Sequence, residues 1–167
     1  MSKEKDKTIE KDGIKFRVLE TGFFGLNMQL LLLRSHSVEI PFPVPDCILS
    51  QPVRNFPKNI CSVYIRNKVL YIDAGLIWDG SSGPSLDTFT LFSAKWCMAY
   101  PSLIHDCMAD IWTQGAIQGN SLFNRTLNDE WYFQNCIKSG MVRLRAHWQY
   151  AAVYEFSRKK QLEYCVL

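Results

Sequence analysis

The chain has 167 residues, a formal net charge of +3, and a composition of 47% hydrophobic and 21% charged residues. That length suits one domain, with a small lobe at most, and can bury a core without disulfide or metal staples. The charge is too slight to point to nucleic acid, and the longest aliphatic run, residues 30–33, is far too short to span a bilayer.

Residues 1–13 carry mixed charge and end at Asp12-Gly13, a turn signal, so they are expected to form a flexible polar tail. They contain no apolar stretch of the secretory kind, and export by a signal peptide is not expected. Residues 14–19 alternate Ile, Phe and Val with Lys and Arg, the pattern of a half-buried strand. After a turn bracketed by Gly22 and Gly25, residues 26–34 form a second apolar stretch, a strand by preference, although period alone leaves a short helix open. Pro41, Pro43, Pro45, Pro52 and Pro57 then crowd residues 40–57. Each removes a backbone donor, which predicts an extended loop. Residues 61–65 and 69–72 read as a hairpin turning on Arg66-Asn67-Lys68. Residues 14–72 are therefore expected to make a β-rich lobe.

Helical signals take over in residues 73–167. The glycine- and serine-rich loop of residues 75–84 leads to a broad apolar face within residues 94–113. Pro101 suggests that this helix starts there, and Gly115 and Gly119 suggest its end. Residues 124–138 predict a second helix closed by Gly140, and residues 142–160 a third. The expected class is α+β: a small N-terminal antiparallel sheet followed by a three-helix unit. Six cysteines stand at positions 47, 61, 97, 107, 136 and 165 with no CxxC pair. Free thiols are expected over disulfides, and zinc-finger spacing is absent.

The sharpest chemical feature is His105-Asp106. Neighbours on a helix diverge by about 100°, so the two side chains are expected to line adjacent parts of one cleft rather than to bond each other. Histidine titrates near neutral pH and is the natural general base, provided an acceptor orients its other ring nitrogen. Asp129, on the next helix, supplies that acceptor if the two helices run antiparallel. A buried histidine held by a carboxylate for structural reasons is an equally serious reading. In the loop of residues 75–84, exposed carbonyls are suited to a hard cation, with Asp79 or Asp106 adding charge. Exposed amides would suit an anion instead, and a plain connection held by local hydrogen bonds is the third possibility. His36 reads as a surface histidine, and His147, among Arg143 and Arg145, as no metal ligand.

Residues 75–84, the Leu103-Ile104-His105-Asp106 motif and the segment from Asp129 to Phe133 together resemble DUF1353, a phage and prophage family of unknown function. The resemblance covers residues 69–160. It departs from the family at Met108 and Ala109, where the family has aromatics, and in a longer insert at residues 114–125. A wider similarity links the chain to the phospholipase A2 superfamily, which pairs a glycine-rich calcium loop with a helical His-Asp. That resemblance implies His105 as the base that activates water, Asp129 as its orienting group, and a calcium ion held by Asp106 with the carbonyls of Gly80 and Gly83, beside which Asp79 of the same loop could add charge. It implies a hydrolase acting on an ester or amide bond. The alternative is a non-catalytic phage protein, a virion component or a binder of a host protein, that keeps the fold. Either implies a place in the host cytoplasm or the virion, with no nucleic-acid partner.

Overall fold

The computed structural model describes residues 8–20, 29–49, 62–78, 93–113 and 125–165. The strands come first: β1 (Thr8–Lys11), β2 (Ile14–Glu20), β3 (Gln29–Leu32), β4 (His36–Glu39), β5 (Cys47–Leu49), β6 (Val63–Arg66), β7 (Val69–Ile72) and β8 (Ile77–Trp78). Three helices follow: α1 (Ser93–Thr113), α2 (Arg125–Lys138) and α3 (Arg143–Cys165). The class is α+β, with antiparallel sheets ahead of three helices. There are two sheets rather than one, in the orders β1-β2-β3-β8 and β4-β7-β6-β5, and every pairing is antiparallel. Among the described residues no helix is long and apolar enough to cross a membrane.

Two tight turns set the hairpins. Asp12 and Gly13 (φ 51° and 80°) join β1 to β2, and Asn67 and Lys68 (φ 50° and 60°) join β6 to β7. Positive φ at both central residues matches the right-handed twist of the flanking strands. The polar tail thus becomes structured at its end, since Thr8–Lys11 is a strand rather than mobile chain. The proline-rich stretch likewise holds a strand, Cys47–Leu49, between Pro45 and Pro52. β5 is an edge strand with one partner, the position in a sheet where nearby prolines are tolerated.

The core does not stop where the helices begin. Ile14, Phe16, Leu30 and Leu32 from the first sheet meet Val63, Ile65, Leu70 and Ile72 from the second. Trp78, Leu103, Ile104, Met108 and Trp131 complete the same buried cluster. The boundary expected at residue 72 is crossed by β8, which pairs Ile77 and Trp78 with β3. Trp78 Nε1 donates to Ser102 Oγ at 3.2 Å, and that hydroxyl donates to the Ala99 carbonyl at 3.1 Å. The polar tip of the tryptophan is thereby satisfied inside the core.

Helix α1 runs through Pro101 instead of starting there. An interior proline removes one helical hydrogen bond and costs about 3 kcal/mol. Met98 and Ala99 before it are buried, as are Leu103, Ile104, Cys107, Met108 and Ile111 after it. Burial of each large apolar side chain is worth about 1.5–3 kcal/mol, so the continuous apolar face outweighs the break. Helix α2 ends in a Schellman motif: Met141 N donates to Cys136 O and Gly140 N to Ile137 O, each at 3.0 Å, with Gly140 at φ 90°. Cys136 and Met141 share a second buried cluster with Tyr132 and Ala146, which ties α3 to α2. Cys107 and Cys136 are buried free thiols, and the side chains of the other four cysteines lie outside the described residues.

Candidate functional site at the seam of α1 and α2

Helix α1 has buried residues on both sides of its middle, so its polar side chains there face another element rather than open solvent. That element is α2. Tyr100 shares a cleft with Asn135 and Lys138, whereas His105, further along α1, meets Asp129, earlier on α2. The two helices therefore run antiparallel, the arrangement the His105–Asp129 expectation requires.

The imidazole sits between two carboxylates. Its Nε2 lies 2.8 Å from Asp129 Oδ1, and Asp129 is completely buried. Its Nδ1 lies 3.5 Å from Asp106 Oδ1. The His105 side chain is 11% exposed and that of Asp106 is 37% exposed, so Asp106, on the Nδ1 side of the ring, is the more solvent-exposed partner. The approach of Asp106 corrects the expectation that adjacent residues diverge. Neighbouring Cβ atoms are close enough for the imidazole to lean across the 100° offset.

Two residues of α2 unmarked by the sequence reading complete the setting. Asn128 is fully buried and donates from Nδ2 to the His105 carbonyl at 3.1 Å. The Tyr132 ring tilts against the imidazole with centroids 5.1 Å apart. Tyr132, three residues after Asp129, lies on the α2 face that presents it, and the i, i+3 spacing of that pair was the available signal. Asn128, one residue before, is offset by about 100° and reaches the His105 backbone instead.

Burial alone pushes the His105 pKa down, because it penalises the charged ring. Hydrogen bonding to Asp106 and Asp129, with the charges of both, outweighs it and raises the pKa to about 8. At neutral pH the ring is mainly imidazolium, with Nε2–H directed at Asp129 and Nδ1–H toward Asp106. When it loses a proton, Asp129 keeps Nε2 protonated and the lone pair appears at Nδ1, on the side of the more exposed Asp106.

Asp79, Gly80 and Gly83 lie outside the described residues, as does the loop that Asp106 was expected to face. Asp106 is the one described member of the expected calcium set, and its Oδ1 is turned to the imidazole. Among the described residues no group of three or more His, Cys, Asp or Glu side chains converges as a metal site.

The other histidines stand apart. His36 is no surface residue: it is half-buried on β4, edge-on to Tyr100 with centroids 5.5 Å apart, and burial lowers its pKa. His147 is exposed on α3 with its ring 4.7 Å from that of Phe133. No family model, curated protein or solved structure matches the chain.

Proposed function

We propose that the chain is a hydrolase of the phage type resembled by its motifs, acting on an ester or amide bond. In this reading His105 is the general base and Asp129 its orienting group. The observation that carries it is the 2.8 Å contact from Nε2 to a carboxylate with no exposure, which leaves Nδ1 beside the partly exposed Asp106. Neutral His105 takes a proton from water at Nδ1, and the hydroxide oxygen attacks the carbonyl carbon. The imidazolium then returns the proton to the leaving oxygen or nitrogen as the bond to carbon breaks. Asp129 holds the ring in the Nε2–H tautomer and stabilises its charge at each stage. A hard cation at Asp106, if bound, would polarise the carbonyl.

The test is hydrolysis of aryl esters, amides and phospholipid vesicles by the full chain, with and without calcium or a chelator. Wild-type turnover abolished by His105→Ala and by Asp129→Asn is the expected result. No turnover of any of these by folded wild-type protein would remove the reading.

A second reading is favoured by one observation: both ring nitrogens face carboxylates, and the ring is charged at neutral pH. A charged ring is a latch between α1 and α2 rather than a base. A non-catalytic virion or host-binding protein would use it that way. The pH dependence of stability and of turnover in Asp129→Asn separates the two.

A further inference from the structure

A second feature lies away from the imidazole, between the β1–β2 turn, β4, α1 and α2. It is a cleft of about 350 Å³ with Asp12, Glu39, Tyr100, Trp131, Asn135 and Lys138 in its wall. Its α2 residues, at 131, 135 and 138, share one helical face, next to the face that carries Asp129 and Tyr132. The cleft is held in shape from below. Lys11 Nζ donates to the Ser139 carbonyl at 3.1 Å, which pins the β1–β2 hairpin to the end of α2. Phe42 packs edge-on against Trp131 with centroids 5.7 Å apart, fixing the indole.

One wall residue is unsatisfied. Asn135 is 4% exposed, and its Nδ2 is buried with no hydrogen-bond partner among the described residues. Buried amide donors without acceptors are rare, because nothing offsets the loss of their hydration. Here the unpaired donor belongs to the wall of a cleft whose volume falls at the lower end of small-molecule sites, about 300–1,000 Å³.

We propose that this cleft binds a single polyhydroxylated ring of monosaccharide size. The lining asks for a ligand that both donates and accepts. Asn135 offers a buried donor without an acceptor; around it Asp12, already 3.8 Å from Lys11, and the exposed Glu39 can accept, and the exposed Lys138 can donate. An anion such as phosphate would face two carboxylates, and a simple cation would leave the buried Asn135 amide without an acceptor. Sugar hydroxyls serve both kinds of partner at once. The half-buried Tyr100 supplies the apolar surface against which the C–H face of a ring packs, and the largely buried Trp131, 7% exposed, adds a rigid part of the wall. Burial and the nearby Asp12 charge raise the Tyr100 pKa, so its hydroxyl stays protonated and able to donate. The proposal is independent of what His105 does.

The experiment is titration of the full isotope-labelled chain with methyl glycosides of glucose, galactose, mannose and N-acetylglucosamine. Glycine and inorganic phosphate are the competing arms, and amide and indole resonances are followed by NMR. Saturable shifts at the Trp131 indole N–H and the Asn135 side-chain amide are expected with at least one glycoside. Glu39→Gln, at an exposed position, and Asn135→Ala should each weaken that binding about tenfold, the effect of losing one good hydrogen bond. Saturable binding of glycine or phosphate in place of every glycoside would overturn the ligand class. Absence of saturable shifts with all six compounds, or glycoside binding unchanged in Glu39→Gln, would overturn the site.

Discussion

Replacing Asp129 with Asn keeps the shape of the side chain and removes its charge. The consequence can be worked from the ring it faces. His105 rises from 6.5, its ordinary value, to about 8 in the folded chain. At about 1.4 kcal/mol for each tenfold change in proton affinity, that rise stabilises the fold by about 2 kcal/mol. Because the folded pKa lies above the unfolded one, this stability is fully present below pH 6.5 and fades as pH climbs through about 8. Asp129 is the nearer and more buried of the two carboxylates responsible. Its neutral replacement should therefore bring the His105 pKa back down and remove most of the 2 kcal/mol at acid pH. Near pH 9.5 the wild-type ring is neutral, and the amide oxygen of Asn can accept from Nε2–H. The two proteins should then be nearly equal in stability.

For a chain of this size, 2 kcal/mol corresponds to a melting shift of about 4–8 °C. Urea unfolding at pH 5.5 and pH 9.5, with NMR titration of the His105 ring, reads both quantities. A stability difference that is the same at both pH values would refute the reasoning. So would a wild-type His105 that titrates at its ordinary position. Activity separates the two roles of the pair. If His105 is the base, Asp129→Asn loses hydrolysis by about 10²–10⁴-fold even at pH 9.5, where the fold is intact.

The remaining predictions concern neighbouring parts of the same frame. Hydrolysis in the wild type should rise with pH and level off above about 8, as the ring loses its proton; kcat/KM against pH is the measurement, and a flat profile across that range would exclude His105 as the base. Asn128→Ala removes the hydrogen bond to the His105 carbonyl at a site with no exposure, and urea denaturation should find a loss of about 1–2 kcal/mol. Gly140→Ala meets open space but requires φ 90° of a residue with a Cβ. It should cost about 1 kcal/mol with no change in activity, seen as a lower melting temperature.

How much of this was legible depended on whether the signal was local. The hairpin at residues 63–72 was legible, because its strands and its turn all sit within ten residues. The three helices were legible from apolar period, except that Pro101 was read as a start. Its neighbours on both sides are buried by contacts from distant strands and from the other helices, which a local pattern cannot weigh. Strands β1, β4, β5 and β8 were missed for a related reason. They are four residues long or fewer, and each is held by a partner. Thr8–Lys11 in particular alternates exposed with half-buried residues and has little apolar signal of its own. His36 was misread with β4, since only the pairing of that strand with β7 places it against Tyr100. At the site, the His105–Asp129 contact followed from two helices and a linker, whereas the approach of Asp106 depends on side-chain rotation about the helix.

That rotation decides what kind of site this is. One carboxylate behind an imidazole makes a base, because it orients the ring and leaves the other nitrogen ready for a proton. A second carboxylate beside that other nitrogen raises the pKa further and keeps the proton there. Asp106 is therefore in tension with catalysis at neutral pH for as long as its charge faces His105. Anything that takes up that charge would lower the His105 pKa toward neutral and free Nδ1. A substrate ammonium or hydroxyl and a cation would each do so. Asp106→Asn imitates this uptake of charge by removing it. If His105 is a base, the variant should shift the pH–rate profile to lower pH and raise turnover at pH 7 while slightly lowering acid-side stability. If the ring is only a latch, the stability loss should appear alone.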